Sequence, residues 1–236
     1  MRLLKKFLLG CVILASLLGL LALPATTRQG VNFKVTTRRI PWVIKAMEFV
    51  VRDYEYRDLA ARLTQGLSTE ETKAEALLRW THDHIRPVPA GYPVVDDHIS
   101  HSIIRGYGKE DQMADVFTAL AAYSGIRSFW KITRDPRGPD SLVLSFAKID
   151  NRWTVWDVAG GVSFRDADGR LLSVEELARN PELSQLTAEK APHRAHLYFL
   201  VHTNLARFEV PETLRAEKQM LIRRALFELR QALRKP

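Results

Sequence analysis

With 236 residues, 46% of them apolar and 26% charged, the chain has an ordinary globular balance and enough material for one sizeable core plus appendages. Its single cysteine, Cys11, excludes an internal disulfide and a cysteine-based zinc site, and lying inside an apolar run it is excluded as the nucleophile of a folded domain. Thirty-five basic against 27 acidic side chains leave a net charge of +8, which suits anionic lipid or acidic polysaccharide; no C2H2, RNP or helix-turn-helix spacing is present, so nucleic acid is not an expected partner.

Met1 to Lys6 is basic, and Phe7 to Leu23 carries no charge. Such a run is the h-region of a signal peptide, about 7–15 residues, or a membrane anchor, about 20. Residues 1–25 are read as an uncleaved signal-anchor with a cleaved signal peptide as the alternative. The leading basic residues place the N-terminus in the cytoplasm and the domain on the extracytoplasmic, periplasmic side of a cell membrane. Leu8-Leu-Gly-Cys11 has the outline of a lipoprotein acylation box, but the long apolar stretch after the cysteine argues against lipidation.

Residues 26–40 are polar and basic and are read as a juxtamembrane linker, with a main domain over 41–210. Pro41 opens a helix through Trp42, Ile44, Met47, Val50 and Val51 to Leu63, and Gly66 stops it. Ser68-Thr-Glu-Glu71 has the form of a capping box for a second helix carrying Ala74, Leu77, Leu78 and Trp80. His82, His84, Asp96, Asp97, His98 and His101 are the densest set of potential metal ligands, and His98 and His101 would share a helix face. Pro87, Pro89, Gly91 and Pro93 equally make this stretch a solvated loop, or a wall of a cleft offering polar contacts to a ligand. The spacing matches no tight ligand motif, so no metal or other cofactor is expected.

Gly106-Tyr-Gly108 permits a tight turn, after which Glu110 and Asp111 sit where the positive end of a helix dipole favours acids. Met113, Val116, Phe117 and Leu120 recur at helical spacing, and Gly125 reads as the C′ residue that ends the helix. Beyond it the period changes to two: strands over 127–133, 142–149 and 153–157, with turns at 135–139 and Asp150-Asn151. Gly160 and Gly161 terminate the last strand, Asp166 to Gly169 is a turn, and Ser173-Val-Glu-Glu176 caps a short helix. Helices followed by a run of strands argue for an α+β fold, helices packed on an antiparallel sheet. His193, His196 and His202 have no nucleophile at catalytic spacing. Residues 211–236, with Leu214, Met220, Leu221, Ala225, Leu226 and Leu229 among many Arg and Lys, read as a basic amphipathic helix that covers the core or lies against anionic headgroups.

The segment from Gly106 to Ile126, followed by Leu142-Val-Leu-Ser-Phe-Ala-Lys-Ile-Asp-Asn-Arg-Trp-Thr-Val-Trp-Asp157, resembles the transglutaminase-like (papain-like) superfamily. That family runs Gly-x-Gly-x-Cys into its core helix, ends the helix in Gly-Ile, and places its catalytic His and Asp on the strands that follow. The resemblance covers roughly residues 72 to 160. It puts Glu110 at the Cys position and Leu142 at the His position; Asp157 alone keeps the family type. It implies a transglutaminase-like core without the thiol and imidazole of acyl transfer, to which the apolar run adds an N-terminal membrane helix.

Two readings follow. In one, the chain is a membrane-anchored pseudoenzyme that binds or scaffolds a peptide, cell-wall fragment, polysaccharide or envelope protein, with Asp97, His98, Asp111, Gln112, Trp153 and Trp156 as candidate contacts. In the other, it is a hydrolase or transferase using Glu110 with Asp157 as a carboxylate pair, or a metal on His82, His84, His98 and His101. Glu110 and Asp111 also have a purely structural reading, as caps of the helix N-terminus.

Overall fold

The computed structural model describes residues 2–31, 34–92, 97–135, 137–205 and 208–234, and within these not the side chains of 2–5, 20, 28–31, 34–35, 203–204, 228–229 and 231–234. The apolar N-terminal run is helix α1 (Arg2–Ala22). Among the described residues no helix is long and apolar enough to cross a membrane. In α1 the described side chains run unbroken only over 6–19, about 21 Å of rise at 1.5 Å per residue.

The stretch read as a linker is instead paired. Strands β1 (Pro24–Val31) and β2 (Lys34–Pro41) form an antiparallel hairpin with Pro24 opposite Pro41. Four threonines, at 26, 27, 36 and 37, favour extended backbone, and the prolines stand at the strand ends, where a missing N–H is least costly. The chain leaves and returns to one point, because Trp42 N donates to Leu23 O at 3.0 Å. Helix α2 (Trp42–Leu63) therefore starts where α1 ends, with Pro41 as its N-cap.

Helix α3 (Glu70–His84) begins one residue later than the Ser68 box implied: Thr69 is the cap, accepting from Thr72 N at 3.1 Å. Strand β3 (Arg86–Pro87) pairs in parallel with β4 (Tyr107–Gly108) on either side of helix α4 (Ile99–Arg105). Helix α5 (Glu110–Tyr123) follows directly. Every residue from Gln112 to Ala122 is buried, so α5 is a central helix covered on all sides. It ends as its sequence predicts: Gly125 has φ of +88° and Ile126 N reaches back to Ala121 O at 2.9 Å.

Strands β5 (Ser128–Arg134), β6 (Ser141–Ile149), β7 (Arg152–Asp157) and β8 (Val162–Ser163) make a four-stranded antiparallel sheet in sequence order. Asp150 and Asn151 both carry positive φ, the geometry of a two-residue hairpin that matches strand twist. Alternation along β6 divides the core in two. Ala147 and Ile149 join Trp156, Phe117 and Leu120 beneath α2, α3 and α5. Leu142, Leu144 and Phe146 join Val155, Phe164, Tyr198 and Leu200 on the other face.

That second face is covered by α6 (Val174–Arg179), α7 (Leu183–Ala188), a 3-10 turn (Pro192–Leu197) and α8 (Phe199–Leu205). The Ser173 capping box forms as predicted, Ser173 N to Glu176 Oε2 at 2.8 Å and Glu176 N to Ser173 Oγ at 3.2 Å. The final helix is shorter than its sequence pattern implied. Leu214 and Ala216 are buried in the body, Ala216–Gln219 is a 3-10 turn, and only α9 (Leu221–Arg234) is α-helical. The architecture is α+β: a buried helix and its neighbours on one side of an antiparallel sheet, short helices on the other.

Candidate functional site

The first turn of α5 and the end of β7 come together at the edge of the sheet, and a residue that no local pattern singles out stands between them. Arg194, on the 192–197 turn, is buried. Its Nη1 donates to Glu110 Oε1 at 2.6 Å and its Nη2 to Glu110 Oε2 at 3.1 Å, a two-pronged pair. Its Nε donates to Asp157 Oδ2 at 2.7 Å. Asp157 is 0% exposed and its remaining capacity is filled: Tyr198 Oη–H donates to Oδ2 at 3.1 Å and Gly160 N–H to Oδ1 at 3.0 Å.

Glu110 therefore does not serve as a helix cap. Its side chain is 38% exposed and its carboxylate faces the guanidinium. Burial alone would push Arg194 down, but the hydrogen bonds and charges of Glu110 and Asp157 prevail and raise it above its ordinary value. Burial and the Asp157 charge both push the Tyr198 phenol up, so it remains a donor. A methyl group on Gly160 would stand 2.7 Å from Asp157 Oδ2 and 3.2 Å from Arg194 Cδ. Glycine at 160 thus makes room for the ion pair as well as ending a strand.

Leu142 is fully buried in the apolar cluster that also holds Tyr198. The two carboxylates do not form a pair with space for water or substrate, since both are tied to one cation. Two shallow hollows are open on the surface: a groove of about 510 Å³ between the end of α2 and α3, lined by Leu63, Leu67, Arg79 and Trp80, and one of about 240 Å³ beside Arg79, Gly161, Arg165 and Lys190.

The other candidate contacts form a second polar group that braces the start of α5. Gln112 is buried; its Oε1 accepts from Lys109 N at 3.0 Å and Arg105 Nη2 at 2.7 Å, and its Nε2 donates to Asp97 Oδ1 at 2.8 Å. Asp111 accepts from Gln112 N at 3.0 Å within the first turn, whereas the N-cap of α5 is Lys109, whose N–H is taken up by Gln112. Burial and the nearby Asp97 raise the Asp111 carboxyl above the usual range, although the Gln112 N–H opposes them. His98 caps α4 through Nδ1 and meets Arg52 through Nε2. Trp156 is fully buried against Phe117, and Trp153 packs edge-on to Phe129 with ring centroids 5.1 Å apart. Neither tryptophan faces an open cleft; both are core aromatics at strand spacing.

The histidines expected as alternative metal ligands are spent separately. His82 Nδ1 lies 3.3 Å from Val158 O, His84 stacks on Trp80 at 4.5 Å, and the His98 and His101 rings are 5.2 Å apart. Among the described residues no group of three or more His, Cys, Asp or Glu is arranged to hold a metal. Asp96 lies outside the described residues. His193, His196 and His202 are exposed.

A further buried acid, unnoticed in the sequence, is Asp115 on α5. Trp130 Nε1 donates to its Oδ1 at 2.6 Å and Arg215 Nη2 to its Oδ2 at 2.8 Å. Burial outweighs both and pushes its carboxyl up to about 6 from the 3.8 of a free aspartate.

No family model matches the chain, and no curated protein does. Among solved structures it is similar to a putative cysteine protease from Cytophaga hutchinsonii, at 17% identity and a TM-score of 0.39, over 51% of this chain and 41% of that one. It is also similar to a putative protease from Parabacteroides distasonis, at 15% identity and a TM-score of 0.36, over 64% of this chain and 40% of that one. The chain thus spans about two fifths of the length of each neighbour.

Two outcomes follow. Replacing Arg194 by Met leaves Asp157 charged and without its cation in the interior, and is expected to cost about 3–5 kcal/mol in urea denaturation. Adding Asp157→Asn to that variant should recover part of the loss, whereas Glu110→Gln, at a partly exposed site, should cost no more than about 1 kcal/mol. The second concerns pH. Because the folded state holds the Asp115 proton more tightly than the unfolded state, this group's favourable contribution is complete below about pH 4 and is lost as pH rises through about 6. In denaturation at a series of pH values, Asp115→Asn should flatten the fall in stability over that window; an unchanged slope would remove Asp115 as its source.

Proposed function

We propose that this chain is a membrane-anchored, extracytoplasmic domain of transglutaminase-like build that has exchanged a reactive triad for a structural one, Glu110–Arg194–Asp157, and acts as a binding or scaffolding module. The observation that carries this reading is the guanidinium between Glu110 and Asp157, with hydrogen bonds of 2.6 and 2.7 Å. A nucleophile or general base needs a lone pair directed at a substrate, and here the lone pairs are directed at a permanent cation. The sequence resemblance supplies the comparison: Glu110 and Leu142 stand where that family has its thiol and imidazole. A carboxylate-pair hydrolase is disfavoured by the same bonds.

Two features support the anchor. The uncharged part of helix α1, residues 7–22, rises about 24 Å, short of a typical hydrocarbon core of about 30 Å and extended toward it by the uncharged Leu23 and the side chain of Lys6. Its described apolar side chains, Phe7 and Leu8 to Leu18 among them, are exposed rather than packed on the body. Lys5 and Lys6 ahead of the run favour a cytoplasmic N-terminus. The ligand class, a peptide, cell-wall fragment, polysaccharide or envelope protein, follows from that side of the membrane, and the basic α9 is read as a second contact with anionic headgroups.

The purified full chain in detergent should neither hydrolyse nor transamidate labelled peptide and cell-wall peptide amides above the level of Glu110→Gln. Turnover that disappears in Glu110→Gln would overturn the non-catalytic reading. In intact spheroplasts, protease added outside should cleave the 41–234 body; full protection with the envelope open would place the domain in the cytoplasm instead.

A further inference from the structure

Helix α2 presents an apolar face in the direction that has no core to cover it. Asp53, Tyr56 and Ala60 are its buried positions. At 100° per residue, Ile44, Met47, Val51 and Tyr54 lie roughly 125–175° round the helix from that buried row, with Val50 on the near flank at about 90°. All five are open, from 45% exposed at Ile44 to 69% at Tyr54. Single exposed apolar residues are unremarkable, but five neighbours in one stripe on the outside of a helix mark a surface that is covered in use.

The stripe is local. Further along the same face stand Asp58 and Arg62, an exposed ion pair at 3.0 Å, so the apolar character stops after three turns. Those three turns are the ones beside α1: the hairpin of β1 and β2 closes on itself and Trp42 N bonds Leu23 O, which sets the start of α2 at the level where the apolar run of α1 ends. Trp42, half exposed, marks that level, and indole side chains favour the boundary between acyl chains and headgroups. Cations surround it. Lys45 Nζ lies 5.5 Å from the Trp42 ring centre, and Arg38 and Arg39 are exposed on the adjoining strand. Exposed Glu48 and Glu55 flank one edge of the stripe, and the cations gather at its start; an apolar stripe with Lys and Arg at the headgroup level is the pattern of a helix lying in a membrane interface.

We propose that the first three turns of α2 lie in the interface of an anionic bilayer, with Ile44, Met47, Val51 and Tyr54 toward the acyl chains and Arg38, Arg39 and Lys45 toward lipid phosphates. This rests on the anchoring of α1 proposed above and adds to it the orientation of the domain: α2 lies flat on the membrane and the rest of the body stands off it. A second copy of the chain is the less suitable cover. Three turns offer a footprint on the order of 15 Å by 10 Å, far below the ~1,600 Å² of a stable protein interface.

The test uses the full chain in nanodiscs of equimolar phosphatidylcholine and phosphatidylglycerol. Spin labels are placed at Met47→Cys, Tyr54→Cys, Glu48→Cys and Arg57→Cys in a Cys11→Ser background, and on the native Cys11 of the unaltered chain as reporter of α1. Circular dichroism confirms that each variant is folded. Collision with oxygen against a water-soluble nickel chelate should favour oxygen several-fold at 47 and 54, and the chelate at 48 and 57 on the two flanks of the stripe, following the helical period. A lipid signal at Cys11 with aqueous signals at 47 and 54 overturns the inference and leaves the anchor intact. Spin–spin broadening between copies at 47 and 54, without oxygen preference, assigns the stripe to a second copy and also overturns it. An aqueous signal at Cys11 removes the anchor itself, and with it this inference.

Discussion

The guanidinium of Arg194 ties together three parts of the chain that are far apart in sequence: the first turn of the buried helix α5, the end of strand β7 and the 192–197 turn. A fully buried carboxylate such as Asp157 is costly unless it is paired and hydrogen-bonded, and here it has Arg194, Tyr198 and the Gly160 amide. Two other features are consistent with this need. Gly160 keeps clear of the pair, and the short helices after β8 bring Arg194 and Tyr198 back across the sheet. The hydrogen-bonded pair also fills the position where a reactive site would require an opening.

The chemistry of this cluster differs from that of a reactive one. A reactive triad keeps one group poised to gain or lose a proton near neutral pH. Arginine cannot play that part, since its charge persists at any physiological pH, and the phenol and carboxylates around it are locked by it. What the arrangement gains is rigidity at the meeting of helix and sheet. Among the described surfaces, the outer side of α2 exposes several large apolar side chains near the N-terminal helix.

Much of the fold was legible because local rules govern it. Gly125 as the helix stop, Asp150-Asn151 as a hairpin turn and Ser173 with Glu176 as a capping box each depend on a few neighbouring residues, and each is found as read. The hairpin over 24–41 was missed because its polar, basic strands bury little and carry no apolar alternation. The final helix is shorter than its pattern because Leu214, seven residues before Leu221 and so in phase with it, is a core residue of an irregular segment. At the site, Glu110 and Asp157 were legible as a pair but their connector was not. Arg194 lies 84 and 37 residues from its two partners, in a stretch whose histidines drew attention instead. A buried Asp after two strand tryptophans, with no imidazole to pair it, was the one signal that some cation had to come from elsewhere.

The most direct test of the account is nitrogen-15 NMR of the Arg194 side chain in the full chain, assigned by comparison with Arg194→Lys. The account predicts a resolved Nε–H signal that exchanges slowly with water and terminal Nη groups whose rotation is hindered by Glu110. An averaged guanidinium signal in rapid exchange with solvent would contradict it, for it would mean that Glu110 and Asp157 are free to meet a substrate.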